Sequence, residues 1–369
     1  MADPSAYELA AWQHVQRFRG RPLSRSMRNT GERIATGAAA LGERVEANLD
    51  KHPRVKAAAS GAQRVAGKAA GAIGSGAKQA AAAVPDWAAS AFDATRQTVG
   101  RVSRAGLSPK QIISKHNKRG HDVASLSDLR MLDLEQIDRV RGRGASWYYP
   151  ATAALTGAGA GLLISGGELV TAASAGAAAA PSGAVVVGAF AGDAAIVLGL
   201  ASRSVGHVAL HYGYDPEEPA EKLFVMSVVN AGTAASATAK TAAMADISRL
   251  TQALVRGKTW AILDKSVVSK VSGQFAKAFG LRLTKQGLGK VVPAVGIVIG
   301  GALNWTTLEG IVDAADYAYR RRFLIEKYPH LDEQLSGEPK DTFRDAGSAS
   351  DVVISVLDEI EDAGGPDLR

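Results

Sequence analysis

Apolar residues recur at helical spacing along most of the chain, and the alternation that marks a half-buried strand is largely missing. The pattern predicts a short amphipathic helix near the N-terminus, whose apolar positions are Tyr7, Leu9, Trp12, Val15 and Phe18. A second helix is predicted after Ser108, which is a suitable N-cap because Pro109 follows at the first helical position. These elements indicate an all-α protein.

Three stretches in the second half of the chain are also predicted to be helical. Residues 193–212 begin at Asp193, and residues 220–280 hold two helices with a break near Gly257. Residues 291–329 form one helix that starts without charge and ends in consecutive arginines. Alanine favours helix, and faces of Ala and Gly let helices approach closely. We therefore expect an Ala/Gly-rich helical bundle with closely packed helical hairpins.

Three uncharged segments raise the question of whether the chain enters a bilayer: 144–167, 169–192 and 291–308. A spanning helix needs about 20 predominantly apolar residues, yet alanine and glycine add little insertion energy. Two interpretations follow, namely full insertion and a buried helical hairpin in a soluble or surface-bound domain, and we favour the second. Each segment also carries a pair of glycines at the spacing that brings helix backbones together, in a membrane or in a soluble bundle: Gly157/Gly161, Gly188/Gly192 and Gly296/Gly300.

The charges of the last long helix favour burial against protein. Glu309, Asp313, Asp316 and Arg320 fall on one helical face. A helix that faces lipid would not align four charges in this way, since each is costly in hydrocarbon. We predict a polar seam in which this face and Arg203 of an earlier helix form an interhelical ion network.

Composition excludes several kinds of chemistry. The chain of 369 residues has no cysteine, which excludes disulfides, thiolate metal sites and cysteine nucleophiles. This is compatible with a reducing compartment. The N-terminus lacks a basic segment followed by an apolar one, so we expect no secretory signal.

The net charge of +7 conceals a strong asymmetry. Residues 51–110 hold ten Lys and Arg against two Asp and Glu, whereas residues 331–369 hold three against eleven. We accordingly divide the chain into three parts. Residues 1–83 are a basic Ala/Gly-rich arm with a short amphipathic helix, residues 84–329 are a helical domain, and residues 330–369 are an acidic, partly disordered tail.

The basic arm is expected to contact an anionic membrane surface, where each nearby cation contributes about 1 kcal/mol. The acidic tail could cover the arm when no membrane is present. The arm is nearly free of aromatic residues that stack on bases, so nucleic acid is not the expected partner. The cations assigned to the membrane surface are Lys51, Lys56, Arg64, Lys68 and Lys78.

No motif for a cofactor emerges. The segment GAIGSGAK at 71–78 is a near miss to a phosphate-binding loop, but no Ser or Thr follows the lysine and no strand precedes it. No Gly-x-Ser-x-Gly nucleophile motif occurs either. We expect neither a nucleotide cofactor nor a metal.

Two histidines one helical turn apart are the strongest candidates for chemistry. His207 and His211 have the spacing of two metal ligands on one helix face, and Arg203 precedes them on the same face. We favour a structural polar seam for them. The alternative is a hydrolase-type active site in which Asp193 and Asp313 join the two histidines.

Several stretches resemble the EcsC family over roughly residues 84–326. One feature is a Tyr-Gly-x-Asp-Pro turn at the start of YGYDPEEPAEKLFVMSVVN (212–230), which follows a helix with an early Asp. A second lies in the long segment 282–324, and the glycine-rich run at 156–167 is a third. The pattern of the long segment consists of Lys290, Pro293, Gly296, Gly300 and Asn304.

This family takes its name from a protein encoded beside an ABC transporter of the bacterial cell envelope. The resemblance implies a bacterial, mostly helical protein associated with a membrane, and it supplies no catalytic residues. We therefore expect a non-enzymatic accessory protein at the cytoplasmic face of the membrane, peripheral rather than integral. Its expected partners are the anionic membrane surface and a membrane transporter or another envelope protein. An integral multi-helix membrane protein is the further alternative.

Overall fold

The computed structural model describes residues 3–17, 107–156, 179–234, 236–256, 267–275, 279, 296–333 and 355–366. These residues contain helices and a 3-10 turn at Ser127–Met131 but no strand, which confirms the predicted all-α fold class. The helices are α1 (Ala6–Arg17), α2 (Pro109–Asn117), α3 (Leu134–Arg141), α4 (144–156), α5 (Ala179–His211), α6 (Pro219–Thr233), α7 (Ala237–Val255), α8 (267–275), α9 (Gly296–Lys327), α10 (His330–Glu333) and α11 (Val356–Asp362).

Helix α9 forms the centre of the fold and packs against α5, α6, α7 and α1. Its core-facing side chains recur every three or four residues, as an amphipathic helix requires: Leu308, Ile311, Ala315, Tyr319 and Phe323, all of them buried. The Tyr319 ring meets Phe224 of α6 edge-on, with the two ring centres 5.0 Å apart. Burial of these side chains supplies the main driving force that holds α9 in the core.

Helices α6 and α9 approach each other at glycines. A Cβ atom added at Gly232 would lie 2.5 Å from Cα of Ile311, and one at Gly310 would lie 3.0 Å from the Gly232 carbonyl oxygen. The backbones are therefore in direct contact, as expected for a closely packed bundle. Neither glycine belongs to the pairs of glycines four positions apart that the sequence analysis singled out for close helix packing.

Two helix boundaries differ from the prediction. Helix α5 begins at Ala179 and not at Asp193, because the Ala/Gly/Val segment continues the helix and Pro181 falls in the first turn, where proline is tolerated. The predicted break near Gly257 coincides with the end of α7 at Val255, but the segment holds a further break between α6 and α7. Ser236 is the N-cap there and accepts a hydrogen bond from the amide of Ala239 at 3.1 Å. In the part of the chain that the structure describes, no helix combines the length and apolar character needed to cross a membrane.

Both described ends of the chain pack on the bundle. Helix α1 contacts α3 and α9, and its Trp12 is 3% exposed. Helix α11, within the acidic tail, contacts α6 and α7 through buried Val356, Leu357 and Ile360. These two segments are therefore parts of the folded domain. The five arm cations assigned to a membrane surface lie outside the described residues.

Helix α1 is held by a buried carboxylate. Glu8 is fully buried and accepts hydrogen bonds from Nζ of Lys327 at 2.8 Å, the hydroxyl of Tyr328 at 2.6 Å and the amide of Leu134 at 3.3 Å. Burial by itself would raise the pKa of the Glu8 carboxyl, but the bonds from Lys327 and Tyr328 outweigh it and hold this pKa below its usual value.

Replacing Glu8 with Gln is expected to lower the free energy of unfolding at pH 7 by about 1–2 kcal/mol, because bonds to a charged acceptor are lost. The folded-state pKa of Glu8 is depressed, so its contribution is present above the unfolded pKa and disappears as pH falls through the folded pKa. Urea unfolding of the two proteins between pH 7 and pH 3 measures this. Glu135→Gln, at an exposed pair with Arg139, is the control. A difference between wild type and Glu8→Gln that stays constant over this range would contradict the assignment.

Candidate functional site

A pocket of about 420 Å³ opens between α2, α4 and α5. Its polar wall defines what we call the cationic pocket: Lys115, Arg141, Tyr149, Arg203, His207 and His211. Leu107, Ile112 and Leu210 add an apolar wall. The volume is in the range of small-molecule sites, which combine apolar walls with a few directed polar groups.

The pocket has an excess of positive charge. Lys115 of α2, Arg141 of α3 and Arg203 of α5 contribute cations, and none of the described residues that line the pocket is an Asp or Glu. Arg141 forms an ion pair with Asp316 of α9, which does not line the pocket. The described lining therefore holds three basic side chains, Lys115, Arg141 and Arg203, and no carboxylate.

Two helix N-termini add to the positive potential. Ser108 is the N-cap of α2 and makes no side-chain cap bond, and it lines the pocket together with Gly144 and Ala145, the first residues of α4. The N-terminus of a helix carries a partial positive charge and presents amide donors that have no partner within the helix. Anions bind at such positions, because both effects favour negative charge.

The two histidines of the pocket are neutral at physiological pH. The centres of their rings are 5.1 Å apart. Burial, together with the neighbouring cations, lowers the pKa of His207 to about 4 and the pKa of His211 to about 2. Burial raises the pKa of Tyr149 to about 12, so its hydroxyl keeps its proton and can donate to Nδ1 of His207, 3.3 Å away. In the tautomer that accepts this bond, Nε2 of His207 carries the ring proton and is a donor; in the other tautomer Nδ1 donates to the Tyr149 hydroxyl.

Two buried polar atoms of the pocket residues have no hydrogen-bond partner among the described residues. They are Nδ1 of His211 and Nε of Arg141. His211 is 3% exposed, and the Arg141 side chain is 6% exposed. Such an atom costs about 1–3 kcal/mol when it is left without a partner, so each instance calls for an explanation. Both atoms belong to residues that line the cationic pocket.

The structure brings together only part of the predicted hydrolase set. His207 and His211 share the pocket with Arg203, as their spacing on one helix predicts. Asp313 is exposed, is absent from the pocket wall, and acts electrostatically on buried Lys240 of α7. Asp193 lies in α5, but its side chain is outside the described residues. Within those residues, no group of three or more His, Asp or Glu could hold a metal ion.

The predicted polar seam is divided among different neighbours. Arg320 pairs with Asp138 of α3 at 2.7 Å, and Asp316 pairs with Arg141 of the same helix. Glu309 is exposed at the surface, and Arg203 lines the cationic pocket. Helix α3 therefore lies along the charged face of α9, in the place that the sequence interpretation gave to Arg203.

Three pocket residues escaped the sequence interpretation, namely Lys115, Arg141 and Tyr149. A partial signal exists, since α2 and the segment after it are rich in cations, with Lys110, Lys115, Lys118 and Arg119 close together. Nothing in their spacing indicates that α2 and α3 would face the histidines of α5.

Comparison with known proteins agrees with the resemblance noted above. Residues 165–324 match the EcsC protein family. A relative from Bacillus subtilis (strain 168), the uncharacterized protein YdbA, is 27% identical over 233 residues, which cover 62% of this chain and 74% of the relative. No solved structure matches the chain significantly. The family match includes the three pocket residues of α5, whereas Lys115, Arg141 and Tyr149 precede it.

Proposed function

The chain carries an EcsC family domain at residues 165–324, and from this premise we propose that it is a non-enzymatic binding protein that holds an anionic group in the cationic pocket. The observation that carries the proposal is the composition of the wall. Three cations and two helix N-termini face a space whose described lining has no carboxylate. Phosphate and carboxylate oxygens suit such a site, because charge-assisted hydrogen bonds are the strong ones.

The pocket also favours a ligand with an organic part. A volume of about 420 Å³ is far larger than a single phosphate requires, and the partly exposed Leu107 offers contact to carbon atoms. The anionic end of such a ligand would accept hydrogen bonds from Lys115, Arg203 and Nε2 of His207. Its remaining atoms would cover the apolar side.

Titration of full-length protein with inorganic phosphate at constant ionic strength tests the proposal. We expect saturable binding, weakened about tenfold by Lys115→Met, because one charge-assisted hydrogen bond is lost. Lys118→Met is the matched control, since it removes the same charge from the end of the same helix but outside the pocket wall. Calorimetry, or the shift of the thermal unfolding midpoint with phosphate, gives the affinity.

Two results would overturn the pocket assignment. One is that phosphate shows no saturable binding and raises the thermal unfolding midpoint no more than chloride does at the same ionic strength. The other is an equal loss of affinity in Lys115→Met and Lys118→Met, which would mean that phosphate senses only the overall positive charge of the protein.

The basic stretch 51–110, which runs from the basic arm into α2, supports a location at a membrane surface. Residues 51–110 carry ten Lys and Arg against two Asp and Glu, a density that attracts anionic lipid. We therefore place the protein peripherally at the cytoplasmic face of a bacterial membrane, as an accessory to a transporter or another envelope protein. If cells are fractionated, release of the protein from membranes by high salt would support this placement, and recovery in the cytosol from the start would contradict it.

A further inference from the structure

Helix α4 carries large apolar side chains on its exposed surface. Trp147 is 67% exposed, Tyr148 is 56% exposed and Leu155 is 76% exposed. The helix contains no charged residue. A helix of a folded domain that faces water normally places polar and charged residues on its outer side. The outer side of α4 departs from this rule at Trp147, Tyr148 and Leu155, with Ser146 and Thr152 among its polar residues.

The exposed side chains lie on one side of the helix. Tyr148 and Leu155 are two turns apart, so they align along the axis, and Trp147 lies on the flank beside Tyr148. The opposite side is buried, with Tyr149 2% exposed and Ala153 fully buried. The outer apolar face is therefore additional to the face that α4 packs into the core.

Tyr148 connects this surface to the cationic pocket. Its side chain belongs to the exposed face and also lines the pocket, as do Gly144 and Ala145 at the start of α4. A cationic cavity thus lies at the end of an apolar face that bears Trp and Tyr. At a membrane surface the same order is found: anionic phosphates stand next to the acyl boundary, where Trp and Tyr side chains concentrate.

We infer that α4 lies in the interface of an anionic phospholipid bilayer and that the cationic pocket receives the phosphate of one lipid headgroup. The inference rests on the proposed anion site and adds the class of its ligand. Charge complementarity selects this occupant, because a bilayer offers the anion and the apolar layer in one partner. Leu107 of the pocket wall is then covered by the glycerol and upper acyl carbons of the lipid.

Co-sedimentation of full-length protein with vesicles tests the inference. The vesicles contain phosphatidylcholine alone or phosphatidylcholine with phosphatidylglycerol. We expect binding only to the anionic vesicles, and the double variant Trp147→Ser/Leu155→Ser should reduce it at least about tenfold, because two exposed apolar side chains no longer enter the interface. Met131→Ser is the matched control: Met131 is 81% exposed but lies on the 3-10 turn, outside the pocket.

The outcomes separate the inference from the proposed function. Loss of vesicle binding in the double variant, with unchanged affinity for inorganic phosphate, supports the inference. If the double variant binds vesicles as well as wild type does, membrane contact belongs to the basic arm and the inference is wrong. Phosphate binding by wild type would still support the proposed anion site in that case. Failure of wild type to bind phosphate overturns both. A third result would also overturn the inference: wild type binds no vesicles and sediments as a dimer, and the double variant sediments as a monomer. The exposed face of α4 would then contact a second copy of the chain.

Discussion

Replacing Arg322 with Met is expected to lower the free energy of unfolding by about 3–5 kcal/mol, the loss typical of removing one partner from a buried ion pair. The Arg322 side chain is 6% exposed. It donates to Glu221 at 2.6 Å and to Glu326 at 2.8 Å, and its guanidinium lies 4.0 Å from the centre of the Tyr214 ring. Methionine would fill much of the space but would leave the Glu221 carboxyl buried without its cation.

The loss in this variant should depend on pH. Burial raises the pKa of Glu221 even though Arg322 opposes the shift, so removal of Arg322 raises this pKa further. A carboxyl with a raised folded-state pKa contributes stability below its unfolded pKa and loses it as pH rises through the folded value. Arg322→Met should therefore lose less stability relative to wild type at pH 5 than at pH 8. Glu221→Gln in the same background should recover part of the loss at pH 8.

Urea unfolding followed by circular dichroism measures both effects. Arg139→Met is the control, because Arg139 pairs with Glu135 at a site where both side chains are largely exposed. Such pairs contribute about 0–1 kcal/mol. A loss in Arg322→Met that is no larger than in this control, or that grows as pH falls, would show that the network of Arg322, Glu221 and Glu326 does not hold α6 to α9.

The helical character of the chain is readable from the sequence because amphipathic spacing is a local property. Trp12 and Val15 of α1 are buried, as their spacing predicts, whereas Tyr7 and Leu9 of the same pattern are exposed. Helix α9 runs through the segment where one long helix was expected. Boundaries in Ala/Gly-rich stretches are harder to place, since the pattern there has little contrast between apolar and polar positions. Helix α5 therefore begins well before Asp193.

The candidate site could be predicted only in part, for a related reason. The spacing of Arg203, His207 and His211 identifies side chains that share one face of a single helix. It does not identify the helix that this face meets. Lys115 and Arg141 come from α2 and α3, and their positions depend on how these helices pack on the bundle. The same limit applies to Asp138, which meets Arg320 across 182 residues of sequence.

Close packing of glycines between α6 and α9 likewise arises from tertiary structure, and it leads to the second large effect. Replacing Gly232 with Ala is expected to lower the free energy of unfolding by about 1–3 kcal/mol, as overpacking of a well-packed contact does. The new Cβ atom would lie 2.5 Å from Cα and 2.7 Å from Cγ1 of Ile311. A rotamer change of Ile311 can relieve only the second contact, so the two helix backbones must move apart.

Gly273→Ala is the matched control for this substitution. Gly273 also lies in a helix, α8, but a Cβ atom there meets nothing within 4 Å. Alanine is a better helix former than glycine, so this variant should gain about 0.5–1 kcal/mol. The same intrinsic preference acts at Gly232, so the difference in unfolding free energy between the two variants measures the cost of the contact with Ile311. If both variants gained stability in urea unfolding, α6 and α9 would have room for a methyl group, and the close approach at Gly232 and Ile311 would be wrong.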